Sequence, residues 1–225
     1  MVRLVLWDID HTLIDTRGVG RELSAAAFQR TTGLVMHKQA KIDGITEPVI
    51  FRETAKLHGL TTDRADFERF AAALAEEHLE RTADLREHGH ALPGAAAALD
   101  ALNAGGVQQT VVSGNIRSVA EIKLQVFGLD RHILWDIGAY GEDNDVRAEL
   151  VRLSLQRANA QPAEAVLIGD TPADVTGAQA NNVRVIAVAS GHNNEAALRD
   201  FGADAVLSDL RDTALLVRLV RSGGQ

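Results

Sequence analysis

Asp8 and Asp10 stand two residues apart, directly after the apolar run Val2 to Trp7, and His11 and Thr12 follow them. Two carboxylates that leave a strand into a turn can face one cleft. One can attack an electrophile while the other gives and takes a proton. An Asp-rich surface turn is the plain alternative. A second group, Ser113-Gly114-Asn115, follows Val111-Val112. A hydroxyl and backbone N–H groups at a helix start make a nest for an anion, although Asn115 can equally cap the next helix. A third pair, Asp170 and Asp174, straddles a helix start after Leu167-Ile168-Gly169. Such oxygens suit a hard cation such as Mg²⁺, and an Asp at a helix N-terminus also suits the helix dipole. The fourth element is a cation. Arg147 follows Glu142-Asp143-Asn144-Asp145 and can neutralise a bound anion and a nucleophile, with Lys123 as the rival.

Each feature alone is weak. Together they supply a nucleophile, an acid/base, a divalent-cation site, an anion nest and a balancing positive charge. These are the parts of metal-assisted phosphoryl transfer.

Positioning these groups requires strands that end beside one another. Val2 to Trp7 reads as a strand buried on both faces of a parallel sheet. Similar runs occur at Val107 to Val112, Ile133 to Ile137, Ala165 to Ile168, Arg184 to Ala189 and, weakly, Ala205 to Leu207. Helical stretches separate them: Pro93-Gly94 to about Asn103, one from Asn115 with Ile116, Val119, Ile122, Val126 and Phe127 near one face, Arg147 to Ala158, and Pro172 to Asn181. This alternation predicts an α/β doubly wound, mostly parallel sheet whose strand ends carry the ligand site. Residues 16–89 break the pattern. They show helical stretches near Gly20–Arg30, Pro48–His58 and Asp63–Arg81 and no good strand, which predicts a helical subdomain inserted into a core of residues 1–15 and 90–225. Trp7 and Trp135 read as core, and residues 222–225 as a frayed tail.

Composition narrows the partners. The chain has 225 residues, 23 Lys and Arg against 31 Asp and Glu, a net charge of −8, 4% aromatic residues and no cysteine. The acidic balance argues against nucleic acid. The lack of cysteine removes disulfide scaffolds, thiolate zinc sites and Cys nucleophiles. No apolar run approaches the ~18 residues of a membrane span, and the N-terminus meets acid too early for a secretory signal. The expectation is a cytoplasmic protein, monomer or homodimer, that binds no nucleic acid or membrane and takes a small phosphorylated metabolite.

The whole set resembles the haloacid dehalogenase (HAD) superfamily, in its phosphatase branch with a small helical, C1-type cap, similar to phosphoglycolate phosphatases. Asp8-Ile9-Asp10-His11-Thr12 is similar to the first motif, Ser113 to the second, and Gly169-Asp170 with Asp174 to the fourth. The third motif usually has Lys, and here Arg147 is best placed, with Lys123 still open. The resemblance implies that Asp8 is the nucleophile, forming an aspartyl-phosphate, and that Asp10 is the general acid/base. It implies Mg²⁺ held by the Asp8 carboxylate, the Asp10 backbone carbonyl and Asp170, with Asp174 direct or through water. Ser113, Gly114, Asn115 and Arg147 would hold the phosphoryl group, and the residues 16–89 cap would set specificity, with Arg17, Arg21, Thr46 and Arg52 as candidates. Asp10 argues against a dehalogenase. A phosphomutase of the same superfamily is the alternative, and a non-hydrolytic phosphoacceptor or binding protein a more distant one. His11, His88, His90 and His192 read as solvated or structural.

Overall fold

The computed structural model describes residues 2–222, so residues 223–225 of the expected tail lie outside the described residues. In chain order the strands are β1 Leu4–Trp7, β2 Ile14–Asp15, β3 His90–Ala91, β4 Gln108–Val111, β5 Ala165–Gly169, β6 Arg184–Val188 and β7 Ala205–Leu207. The helices are α1 Val19–Thr32, α2 Glu47–Leu57, α3 Arg64–Glu80, α4 Thr82–His88, α5 Ala95–Ala104, α6 Arg117–Val126, α7 Arg147–Arg157, α8 Pro172–Gln179, α9 Glu195–Asp200 and α10 Thr213–Arg221.

The main sheet has five strands in the order β4-β1-β5-β6-β7, every neighbouring pair parallel. The apolar runs form these strands because both faces of the sheet are covered. Along β1, Val5 and Trp7 pack into one core layer, which α5, α6 and α10 complete. Leu4 and Leu6 point the other way, into a layer completed by α7, α8 and α9. The period-two alternation of a strand separates the two layers.

The chain departs from this sheet after β1 and returns before α5. At that point β2 and β3 pair antiparallel, Ile14 opposite Ala91 and Asp15 opposite His90. Between them lie only helices, α1 to α4. Phe28, Phe51, Phe67 and Phe70 form their centre, and that cluster continues onto Ile116 and Val119 at the start of α6. The helical block is therefore seated on the same helix that follows β4.

One expected strand is absent. Residues 133–139 bridge β4 and the residue after it only at isolated points, Gln109 with Ile133 and Val112 with Ala139. Between the bridges, Trp135–Ile137 forms a single 3₁₀ turn. Thr110 Oγ1 and Tyr140 Oη donate to the carbonyls of Leu134 and Trp135 at 2.7 and 2.6 Å. Side-chain donors thus take carbonyls that a sheet ladder would use. Trp135 is consequently only half-buried, whereas Trp7 lies fully inside the core. Among the described residues no helix is long and apolar enough to cross a membrane.

Candidate active site

Three strands that lie side by side deliver three of the polar groups. β1 ends before Asp8, β4 before Ser113 and β5 before Asp170, and the sheet order places β1 between the other two. Because all three strands run parallel, their carboxyl ends open on one edge, where ligands of doubly wound sheets bind. A cavity of about 170 Å³ lies there, with Asp8, Asp10, Ser113, Lys123, Arg147 and Asp170 among its lining residues.

Asp8, Asp170 and Asp174 offer carboxylate oxygens within 4.8 Å of one another. All three are buried. Burial, opposed by Arg147 and reinforced by Asp174, pushes the Asp8 carboxyl up to about 7. Burial together with the charges of Asp8 and Asp174 pushes Asp170 up to about 9. Three crowded carboxyls, of which Asp8 and Asp170 resist ionisation, are a donor set that a divalent cation would relieve. The residues present therefore fit a hard cation. Thr12 Oγ1 stands 3.4 Å from Asp8 Oδ2 and 3.3 Å from Asp170 Oδ1, between the two acids. Gly191 is needed here, because a Cβ at that position would collide with the Asp170 carboxylate.

Arg147 and Lys123 are divided between the two acids of the first motif. Arg147 is the first residue of α7 and is buried. Its Nη2 donates to Asp8 Oδ1 at 2.6 Å, its Nε donates to Asp174 Oδ1 at 2.9 Å, and Nη2 also pairs with Asp174. A planar fork can hold two carboxylates at once, which a lysine ammonium on one stem does less well. Lys123, buried on α6, places Nζ 2.8 and 2.9 Å from the two oxygens of Asp10 and 2.8 Å from Asn115 Oδ1. Burial works to raise the Asp10 pKa, but Lys123 and the Asn115 amide overcome it and hold the group below the usual carboxylate range.

Asn115 does not cap α6. The N-cap position is Ile116, and Glu142 Oε1 accepts from the Arg117 N–H at 2.9 Å instead. The Asn115 side chain donates to Asp10 Oδ2 at 2.7 Å and to Ser113 Oγ at 2.8 Å. Its backbone N–H also goes to Ser113 Oγ, at 3.2 Å, so it is spent within the loop. Ser113 Oγ accepts both bonds and keeps its own proton free among the described residues. Gly114 joins the two halves of the molecule. Its carbonyl accepts from Glu47 N–H at 2.8 Å, and a Cβ there would run into the Ile45 carbonyl.

The structure brings Asp170 and Asp174 together beside Asp8, and Thr171 joins them. Thr171 caps α8, and its hydroxyl donates to Asp174 Oδ2 at 2.7 Å. Asp174 is both capping-box residue and member of the acid cluster. Of the four candidates for specificity, only Arg21 lines the cavity. Arg52 pairs with Asp145 on the surface at 3.0 Å, Thr46 is buried against the Asp145 carbonyl, and Arg17 lies outside the lining set. His11 and His192 do line it, their ring centroids 4.9 Å apart.

Two lining residues carried no mark in the sequence reading. Glu47 opens α2, where an acid is expected for the helix dipole alone. His78 sits on the buried stripe of α3 with Phe67, Phe70 and Leu74. A histidine on an otherwise apolar stripe is the signal that points to it.

The model of the haloacid dehalogenase-like hydrolase family matches residues 5–188. The chain belongs to this family. It is accordingly a hydrolase, with a five-stranded parallel sheet and ten α-helices among the described residues. Among curated relatives, pyrophosphatase PpaX of Oceanobacillus iheyensis is 24% identical over 96% of this chain and 97% of its own. Phosphoglycolate phosphatase 1 of Pseudomonas aeruginosa is 27% identical over 93% of this chain and 78% of its own. A hydrolase from Pseudomonas syringae has the same fold, with a TM-score of 0.70 and 20% identity over 97% of this chain and 98% of that one.

Proposed function

We propose that this member of the haloacid dehalogenase-like hydrolases is a Mg²⁺-dependent phosphatase of a small phosphomonoester, working through an aspartyl-phosphate on Asp8. The observation that carries the reading is the surroundings of one carboxylate. Asp8 receives the Arg147 guanidinium at 2.6 Å and lies within the acid cluster of Asp170 and Asp174. The relatives named for phosphatase and pyrophosphatase activity support the substrate class.

In this reading Asp8 and Asp170 hold the cation, with Asp174 direct or through water and the Asp10 backbone carbonyl alongside. When bound, Mg²⁺ supplies Lewis-acid neutralisation of the phosphoryl oxygens and keeps the acid cluster ionised. Arg147 holds Asp8 in place as its anion and offsets its charge against the incoming phosphate. The Ser113 hydroxyl and the Gly114 N–H bind phosphoryl oxygens. Asn115 fixes Ser113 and Asp10 rather than binding phosphate itself.

The Asp8 carboxylate attacks phosphorus, and the ester P–O bond breaks. The departing oxygen takes the proton that a monoanionic ester brings to Asp10, passed on through that carboxyl, and leaves as the alcohol. Asp10, now a carboxylate stabilised by Lys123 and Asn115, takes a proton from water. That water oxygen attacks phosphorus of the aspartyl-phosphate, freeing inorganic phosphate and the Asp8 carboxylate. Lys123 thus serves the acid/base, and Arg147 the nucleophile. Residues 16–89 act as the cap over this site, in a protein of the cytoplasm.

The test is phosphate release from p-nitrophenyl phosphate with and without Mg²⁺, with Asp8→Asn as the control. Metal-dependent release that the variant loses supports the reading, and full turnover in the variant removes it.

A further inference from the structure

The cavity wall contributed by residues 16–89 includes Arg21, Ser24, Gln39, Glu47 and His78. Two of these are hydrogen-bond acceptors without a donor. His78 is 2% exposed, and its Nδ1 stands 2.8 Å from the Leu74 carbonyl oxygen. A carbonyl only accepts, so the ring proton sits on Nδ1 and Nε2 keeps a lone pair. That Nε2 is buried and has no partner. Burial and the Lys123 charge hold the imidazole pKa down to about 4, so the ring is neutral at physiological pH.

Glu47 is the second. Its backbone N–H is engaged by Gly114, but its carboxylate receives no hydrogen bond from any described residue. Burial pushes this carboxyl up to about 7, with Lys123 opposing and Asp10 adding to the shift. Lys123 cannot serve as its donor without leaving Asp10 and Asn115. The buried His78 Nε2, left unpaired, is costly, and it is explained when a ligand brings the missing donor; the half-buried Glu47 carboxylate on the same wall can accept from that ligand too. Both acceptors feel the charges of Lys123 and Asp10, the pair beside which the alcohol of the ester departs.

The geometry points to Glu47 and His78 as the groups that select the leaving group: a polyhydroxy alcohol, whose O–H groups donate to both, rather than one bearing a second anion. This rests on the phosphatase reading above and names its substrate class. A carboxylate or second phosphate on the leaving group would bring no donor and would face the negative charge of Glu47 and Asp10. The neutral side chains of Ser24 and Gln39 on the same wall suit the remaining hydroxyls. Arg21, exposed at that wall, is the one group there that would favour an anionic leaving group instead.

The experiment measures kcat/KM of the Mg²⁺-loaded full chain for glycerol 3-phosphate, phosphoethanolamine, phosphoglycolate, pyrophosphate and p-nitrophenyl phosphate. Glycerol 3-phosphate is expected to exceed phosphoglycolate and pyrophosphate by about tenfold or more, the scale of one hydrogen bond to a charged group. Glu47→Gln, which preserves shape, is expected to collapse that ratio. His78→Phe should do the same. Because a buried replacement can fail to fold, a second measurement uses calorimetry of glycerol 3-phosphate on Asp8→Asn. There, added Glu47→Gln should weaken binding about tenfold. Preference for phosphoglycolate or pyrophosphate overturns the inference, as does an unchanged ratio in Glu47→Gln. Preference for phosphoethanolamine overturns the polyol assignment. Failure of every ester, p-nitrophenyl phosphate included, overturns the phosphatase reading itself.

Discussion

The ammonium of Lys123 lies 2.8 and 2.9 Å from the two carboxylate oxygens of Asp10, and it makes no ion pair with Asp8. Asp8 is instead met by Arg147, 2.6 Å away. Two acids separated by one residue in sequence therefore have separate cations, brought from α6 and α7. A strand that ends in a turn sends the two side chains apart, and each finds the helix on its own side.

This division predicts different defects for the two cations. Arg147→Met removes the charge beside Asp8 and should lower kcat about a hundredfold, the scale of losing one transition-state donor. Lys123→Met should act on Asp10. With its cation gone, the Asp10 pKa rises, and the acidic limb of the kcat–pH profile moves to higher pH. A profile that shifts in Arg147→Met and not in Lys123→Met would exchange the two roles.

Asp8→Asn should reduce phosphate release to background while leaving the fold intact. The wild-type carboxyl is buried and pushed up to about 7, so exchanging it for a neutral amide removes a group that resists ionisation. The melting temperature without metal should be equal or higher, and circular dichroism with thermal melts checks it.

Removal of metal should have a pH-dependent effect on stability. Asp8 and Asp170 are raised from 3.8 to about 7 and about 9 in the fold without a cation. Between those values and the unfolded one, the folded chain binds more protons than the unfolded chain. Stability is then fully present below about pH 4 and declines as pH rises toward 9. A bound divalent cation reverses this by stabilising the ionised acids. Melts with EDTA or Mg²⁺ should show a larger Mg²⁺ increment at pH 8 than at pH 5. An equal increment at both would contradict the acid cluster as the binding site.

Glu47 makes a similar prediction that needs no metal. Its pKa rises from 4.5 to about 7 on folding, so wild-type stability falls across that window while Glu47→Gln is untouched by it. The variant should match wild type near pH 4.5 and melt at least about 2 °C higher at pH 8. A constant gap across that range would mean Glu47 is already ionised in the fold.

Gly114→Ala should loosen the join between residues 16–89 and the sheet. The added methyl would collide with the Ile45 carbonyl, both backbones being held by the Glu47 N–H to Gly114 bond. A loss of about 1–3 kcal/mol in urea unfolding is expected, the usual scale of overpacking.

The strands that carry Asp8, Ser113 and Asp170 were legible because a strand buried on both faces must be apolar throughout, whatever lies around it. The acids at their ends were legible because Asp-x-Asp and Asp-x-x-x-Asp stand directly after those apolar runs. Helix identity was readable for α2, α3, α7 and α8 from spacing and Pro or capping residues. The β2–β3 pair and α4 and α9 are short, and their patterns are too brief to separate from loops. The supposed strand at Ile133 to Ile137 failed because the side chains of Thr110, on β4, and of nearby Tyr140 claim its carbonyls.

The sequence by itself determined the parallel sheet and the order of the acidic groups along it, because both are matters of local period and residue type. It could not say which cation faces which acid, that Asn115 ties Asp10 to Ser113 rather than capping a helix, or that Glu47 and His78 share the cavity. Those are contacts between residues up to 139 positions apart, such as Asp8 with Arg147. They depend on how α2, α3, α6 and α7 pack around the sheet edge, and packing direction leaves no trace in local spacing.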